Sequence, residues 1–441
     1  MKILVYSLGL PPFRRGGLVK YSVDLSEQLS ENGNEVTFLY PGKMPLLDSK
    51  KCEFKKKKSN YKFNCFELIN PLPVSLTFGN SVDPFRFYAH RDKDSMRKFI
   101  LSISPDVVHI HTIMGLPIEF IEVLKERHIK VIYTTHDYYG LCPKILTDNP
   151  LEKLKSSECS YDCMMCHVGP SNAKIKVMQS HLYQSLKNTG AFIYLRKKQR
   201  QKSNINSNFS FDAVQTEHRY KLRKYYLSLL SKIDFFHFNS FVSEEVFKQY
   251  LPDIKGKVIP LTIKGLSKSK SKRKIKGSLT FGFLGGTDPK KGISVVDGVV
   301  NKLEKERLGF NLLCAGSDSN SELFERKNVT NLGIIPRSKI REFYNNIDVL
   351  IVPSLCHETF GLVVIEALSQ NIPVICSNNV GAKDILPTWC VFSNEFELHT
   401  KLKTLILSTA KRNELYKQIS KLQIDTDFIR HVEKVKRTFY E

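Results

Sequence analysis

Glu358 and Glu366 lie in the stretch Pro353-Ser354-Leu355-Cys356-His357-Glu358-Thr359-Phe360-Gly361-Leu362-Val363-Val364-Ile365-Glu366-Ala367. The apolar run ending at Pro353 predicts a strand, the residues around Glu358 a loop, and those from Gly361 onward a helix. One carboxylate is then held in a loop over a cleft, and the second is presented from the helix behind it, about one and a half turns in. Carboxylates suit sugar hydroxyls because they accept two hydrogen bonds in fixed geometry. Backbone N–H groups at the start of the helix can meet a diphosphate. The plainer reading makes the pair ordinary helix-end glutamates. Phe360-Gly361 between them and Pro353-Ser354 before them favour a binding site.

A second group of residues suits metal chemistry. Cys142 is followed by Cys159, Cys163 and Cys166, with His167 adjacent. Thiolates at this close spacing match tetrahedral coordination, with Cys142 as the fourth ligand. Zinc is the first reading and an iron–sulfur cluster the second; a set of reduced thiols is the alternative. The remaining cysteines are scattered and read as isolated thiols.

The elements that must position these groups alternate from the start of the chain. Residues 2–8 read as a strand, Gly16-Gly17 as a turn, and Leu18, Tyr21, Leu25 and Leu29 as one face of a helix. Strand and helix patterns continue to residue 263. Residues 264–276 are Lys/Ser-rich without apolar periodicity and read as a basic linker. A second alternating series fills 277–420, and 421–441 reads as a terminal helix packing back on the amino-terminal lobe. The expected fold is α/β, with two doubly wound Rossmann-like lobes facing across a cleft. The amino-terminal lobe carries the Cys-rich insert near 142–167 and a basic helical segment at 170–230.

The chain has 441 residues, of which 41% are hydrophobic and 25% charged, enough apolar material for two cores. Its 67 Lys+Arg against 44 Asp+Glu leave +23, which points to an anionic partner. Residues 50–58, 196–224 and 264–276 carry 19 of these net charges. No apolar run reaches the ~20 residues of a membrane span, and Met1–Ser7 reads as a first strand and not a signal peptide. The expected location is cytoplasmic.

Glu358-x7-Glu366 resembles the paired-glutamate signature of retaining glycosyltransferases of family 4, which have the GT-B architecture. Gly16-Gly17 is similar to that family's glycine loop. Asp106 to His111 and Thr135-His136-Asp137 resemble its acceptor-side elements, Lys290-Lys291-Gly292 its phosphate-binding Lys-Gly, and Asn331 to Pro336 its segment beside the base. A subset of such enzymes has a Cys-rich insertion after the His-Asp element, as here. The resemblance implies a retaining transferase that moves a sugar from a nucleotide-diphosphate sugar to a saccharide or lipid-linked acceptor in cell-surface polysaccharide synthesis. It implies catalytic roles for Glu358, His136 and Lys291. It places donor contacts at Gly17, Gly286, Lys291, Ile335, Phe360, Gly361, Leu362 and Glu366. Glu358 would hold the sugar hydroxyls and Glu366 the ribose. No catalytic metal is expected, since helix termini and Lys supply the positive field.

Two positions depart from the family pattern. Gly285-Gly286 replaces a Gly-Arg pair, which removes one diphosphate cation, with Thr287 and Lys290 nearby. Val380-Gly381-Ala382-Lys383-Asp384 replaces a Gly-Gly-x-x-Glu element beside the sugar, which leaves the sugar open. Asp92-Lys93-Asp94 and Asp425-Thr426-Asp427 read as solvated helix acids, not metal ligands. No dinucleotide-binding glycine motif or P-loop is present. The aromatic-basic stretches at 194–198 and 220–226 suit an anionic membrane surface, so peripheral binding on the inner membrane face is expected and nucleic acid is not. The same fold also permits a nucleotide-sugar epimerase, or a non-catalytic sugar-nucleotide-binding subunit.

Overall fold

The computed structural model describes residues 1–45, 49–75, 84–141, 172–186, 189, 213–268, 278–317 and 321–441. The predicted metal ligands Cys142, Cys159, Cys163 and Cys166 and the basic stretch at 194–198 lie outside the described residues.

The first lobe runs β1 (Lys2–Tyr6), α1 (Gly17–Glu31), β2 (Glu35–Pro41), β3 (Glu53–Lys57), β4 (Asn64–Ile69), α2 (Lys93–Ile103), β5 (Val107–Ile110), α3 (Ile118–Glu126) and β6 (Lys130–Thr134). It continues with α4 (Asn172–Gln179), α5 (His181–Leu186), α6 (Ala213–Ser231), β7 (Phe235–Phe238), α7 (Phe241–Tyr250) and β8 (Gly256–Val258). Its sheet has the order β3-β4-β2-β1-β5-β6-β7-β8. The second lobe runs β9 (Leu279–Leu284), α8 (Ile293–Lys305), β10 (Phe310–Ala315), β11 (Val329–Asn331), α9 (Ile340–Asn345), β12 (Val349–Val352), α10 (Leu362–Ser369), β13 (Val374–Ser377), β14 (Val391–Phe392), α11 (Glu395–Leu407) and α12 (Thr409–Lys421). Its sheet has the order β11-β10-β9-β12-β13-β14. The fold is thus α/β with two Rossmann-like lobes.

Central strands are apolar throughout because both their faces are covered: Ile3 to Tyr6 and Val349 to Ile351 are buried. In the first sheet, strand order reverses at β1, which pairs with β2 on one side and β5 on the other. In the second it reverses at β9, flanked by β10 and β12. The loops that leave β1 and β9 therefore open at the crevices where doubly wound sheets bind ligands.

The Lys-rich run at 50–58 is part of the first sheet, which has one antiparallel strand at its edge. Glu53–Lys57 is an edge strand, antiparallel to β4. Phe54 anchors it by stacking on Phe99, with ring centroids 4.0 Å apart. The lysines keep its free edge from pairing with another chain. Two of them are already ion-paired, Lys55 with Glu53 at 3.3 Å and Lys57 with the buried Glu67 at 3.1 Å.

After α12 the chain crosses to the first lobe, where α13 (Phe428–Val435) and the π-helical turn Lys436–Tyr440 pack. Asp427 caps α13 by accepting from the N–H groups of Ile429 and Arg430. Val432, Val435 and Phe439 are buried there. The Tyr21 hydroxyl lies 2.7 Å from His431 Nε2, and the Tyr440 hydroxyl 2.6 Å from His109 Nδ1.

Candidate active site

A cavity of about 360 Å³ lies between the lobes. Gly17, His136, Lys291, Glu358, Phe360, Gly361 and Leu362 all line it. Seven residues predicted from different parts of the sequence therefore meet at one place. Gly286, Ile335 and Glu366 do not line it.

The loop carrying Glu358 is braced on both sides. Glu358 N–H donates to Asn379 O at 2.9 Å, and Gly381 N–H donates to Glu358 O at 3.0 Å. Lys291 Nζ donates to Glu358 Oε1 at 2.9 Å, and the Ser354 hydroxyl donates to the same oxygen. Lys291 is half-exposed and Glu358 more enclosed. Burial pulls the Lys291 ammonium down, but the adjoining Glu358 carboxylate outweighs it and holds the ammonium above its usual value. Lys291 is thus a firm cation facing the cavity. It is placed by Gly292, which has φ +78°, and whose added Cβ would lie 1.9 Å from Pro353 O. Only glycine lets the β9 loop approach the end of β12 this closely.

Two helix N-termini converge on the cavity. α1 starts at Gly17 behind Gly16, and α10 starts at Leu362 behind Gly361. Neither cap residue has a side chain to accept from the first-turn N–H groups. A Cβ on Gly17 would come within 2.8 Å of Leu362 Cδ1, so the two ends face each other closely. Uncapped amides, helix dipoles and Lys291 together give this part of the cavity a positive field of the kind that suits an anion.

Glu366 lies deeper on α10, where it accepts from the Tyr344 hydroxyl at 3.1 Å. Ile335 packs partly buried against the core. Gly286 has φ +59°, and a Cβ there would meet the Gly316 backbone at 2.8 Å. The missing arginine is therefore matched by a backbone that leaves no room for its side chain. The Thr287 hydroxyl lies 2.9 Å from Ser317 Oγ.

His136 lines the cavity half-buried, above a layer of buried imidazoles. Its Nε2 lies 2.9 Å from His111 Nδ1. His109 Nε2 lies 2.7 Å from Thr134 Oγ1, which is 3.0 Å from His237 Nδ1. Burial pushes His136 down to about 3 and His237 to about 4, and it lowers His109 and His111 strongly. These rings are neutral at physiological pH. With Nε2 engaged by His111, Nδ1 is the ring nitrogen of His136 left for a substrate. Asp137, beside it, is pushed up to about 6 by burial, although it accepts from Tyr139 N–H.

Sequence reasoning missed the residues that hold the lobes together here. The Thr359 hydroxyl donates to His136 O at 3.0 Å, Ser240 Oγ donates to Thr359 O at 2.5 Å, and Phe241 N–H donates to Asp384 Oδ2 at 2.6 Å. Ser240 was visible as the N-cap of α7. Its second bond, across 119 residues of chain, had no local signal.

The fold and this cleft define a GT-B protein. Residues 267–422 match the family described as glycosyl transferases group 1, and residues 15–157 match Glycosyltransferase Family 4. The chain thus carries a group 1 domain behind a family 4-like domain. It is 30% identical over 112 residues to an uncharacterized glycosyltransferase of Methanocaldococcus jannaschii, covering 24% of this chain and 28% of that protein. It is 28% identical over 104 residues to an uncharacterized 41.2 kDa protein in the cps region of Klebsiella pneumoniae, covering 24% of this chain and 29% of that one. The chain thus spans less than a third of the length of these curated relatives. Among solved structures, Anabaena HepE in complex with UDP and glucose superposes with a TM-score of 0.55 at 13% identity, covering 99% of both chains. That likeness is one of fold.

Proposed function

We propose that the protein is a retaining glycosyltransferase that moves a sugar from a nucleotide-diphosphate sugar to a saccharide or lipid-linked acceptor. The observation that carries this is the Lys291–Glu358 pair set against the uncapped starts of α1 and α10. In the reaction the bond between the anomeric carbon and the diphosphate oxygen breaks, and its electron pair leaves with the diphosphate. The helix amides and Lys291 stabilise that growing charge. The acceptor hydroxyl bonds to the anomeric carbon and gives up its proton to the departing diphosphate oxygen. Glu358 holds the sugar hydroxyls, Glu366 the ribose, and His136 a hydroxyl near the reacting carbon. Gly17, Gly361 and Leu362 bring backbone to the diphosphate, Phe360 packs beneath it, and Gly286 and Ile335 lie on the side of the nucleoside.

UDP in the HepE structure supports a uridine nucleotide as the first donor to try. The relative encoded in a cps region supports a role in cell-surface polysaccharide assembly. Peripheral binding on the cytoplasmic membrane face and a structural metal held by Cys142, Cys159, Cys163 and Cys166 belong to the same reading. Elemental analysis of gently purified protein, with zinc or iron near one site per chain, tests the metal. Nucleotide release from a panel of nucleotide sugars, with and without acceptor, tests the activity. Acceptor-dependent release with an unchanged anomeric configuration is expected. Release of no nucleotide, with sugar isomerised in place, would instead indicate an epimerase.

A further inference from the structure

A second cavity, of about 660 Å³, lies in the first lobe against the loop that leads from β1 to Gly17. It opens beside the ends of β1 and β2, under Phe13, Arg14, Tyr40, Lys58, Tyr61 and Glu67. Arg14 is three residues before Gly17, so their Cα atoms are within about 11 Å of each other. A saccharide in this cavity could therefore reach toward the donor cleft.

The charge pattern inside it is unbalanced. Its two acids are already engaged: Glu67 pairs with Lys57 at 3.1 Å and accepts from Lys43 N–H at 3.2 Å, and Glu27 faces Lys264 at 3.8 Å. Arg14 is half-buried, yet among the described residues its guanidinium has no hydrogen bond or ion pair. Burial lowers its pKa. The Tyr40 and Tyr61 phenols, both O–H donors at neutral pH, line the same space. Partly burying a cation without an anion is costly. The loop is nonetheless shaped to do so. Gly9 has φ +142°, and a Cβ there would sit 2.6 Å from Arg14 Cγ, so its lack of a side chain makes room for the arginine stem. Arg14 N–H closes the turn onto Leu10 O at 3.0 Å.

We propose that this cavity is the acceptor subsite and that the acceptor sugar carries an oxyanion, a phosphate or a carboxylate, that pairs with Arg14. This rests on the transferase reading above. Phe13, 44% exposed at the rim, offers an apolar face for the sugar ring. Guanidinium pairs with planar or tetrahedral oxyanions through two parallel N–H donors. The phenols and Lys58 supply further donors.

The test is direct binding at constant ionic strength, by calorimetry, of glucose 6-phosphate, glucuronate and glucose to the full chain. Wild-type, R14Q and R14K proteins are compared, with the melting shift induced by UDP as a check on the donor cleft. Wild type should bind at least one anionic sugar roughly tenfold or more tightly than glucose. R14Q should lose that preference and R14K keep part of it, with the UDP shift retained in both. A preference confined to the phosphate or to the carboxylate identifies the acceptor group. The proposal falls if glucose binds as well as both anionic sugars, if R14Q keeps the preference, or if neither anionic sugar binds at millimolar concentration. Anion binding at Arg14 without any sugar transfer would sink the transferase reading and leave an anion site. Transfer to neutral acceptors independent of Arg14 would do the reverse.

Discussion

Glu358 is the residue on which most of the site geometry converges, since its Oε1 accepts from both Lys291 and Ser354. Glutamine is nearly isosteric and keeps an oxygen that can accept those donors. Glu358→Gln should therefore leave the melting temperature almost unchanged. It removes the charge that orients Lys291 and the paired acceptor oxygens for sugar hydroxyls. A loss of at least about 10²-fold in kcat is expected. Steady-state kinetics beside a melting curve checks this, and near-normal turnover would remove Glu358 from the mechanism. The neighbouring Glu366 is tied to Tyr344 and does not line the cavity that Glu358 faces, so the two acids sit in different surroundings.

At the scale of elements, two short segments govern the cleft. The first is the turn that ends in Gly292. Its left-handed backbone and the 1.9 Å approach of a Cβ to Pro353 O leave no space for alanine. Gly292→Ala should cost roughly 1–3 kcal/mol in urea unfolding and raise KM for the donor, because Lys291 is the preceding residue. Equal stability and KM would show that the β9 loop adapts. The second is the return segment 428–440. The hydroxyl of Tyr440 is buried on His109. Tyr440→Phe should destabilise the first lobe by about 1 kcal/mol, read as a shift in the unfolding midpoint. No shift would mean that the apolar contacts of Val432, Val435 and Phe439 carry the docking alone.

For the whole molecule, pH and charge give the testable consequences. His109, His111, His237 and His431 are buried and His136 is half-buried at the cavity wall, with pKa values pushed down by desolvation, to about 3 for His136 and His431. Unfolded, each binds a proton near pH 6.5. The unfolded chain then holds more protons than the folded one below that pH, so folding stability is full above about 6.5 and falls as the pH drops toward 4. Each histidine contributes about 1.4 kcal/mol per pH unit in that window. Asp137 acts oppositely: folded, it keeps its proton up to about 6, so it offsets one histidine between about pH 4 and 6. Urea midpoints from pH 8 to 4.5 should fall steeply below 6.5, and a flat profile would contradict the buried imidazole layer. The +23 net charge predicts binding to anionic vesicles that fades at ~1 M salt. Among the described residues no helix is long and apolar enough to cross a membrane. Co-sedimentation with Lys56 and Lys58 changed to Glu tests whether the β3 edge takes part. Unaltered binding would place the contact elsewhere, and no binding by the wild type would remove the membrane reading.

The chain's local patterns determined its two α/β series, the loop positions of Gly17, Lys291 and Glu358, and the start of α10 at Gly361–Leu362. Apolar period, glycine punctuation and helix caps act over a few residues, so they can be read along the sequence. Which loops share a cavity depends on strand order, and that became clear only when β1 and β9 proved to be the switch points of their sheets. Nothing local in the sequence singles out Arg14, because its partial burial arises from Gly9, β2 and the β3–β4 edge folding around it. His109 and His111 likewise could be placed on a strand, but not given their partners. Their partners, Tyr440 and His136, lie 331 and 25 residues away, and hydrogen bonds across such separations are set by packing, which no local spacing encodes.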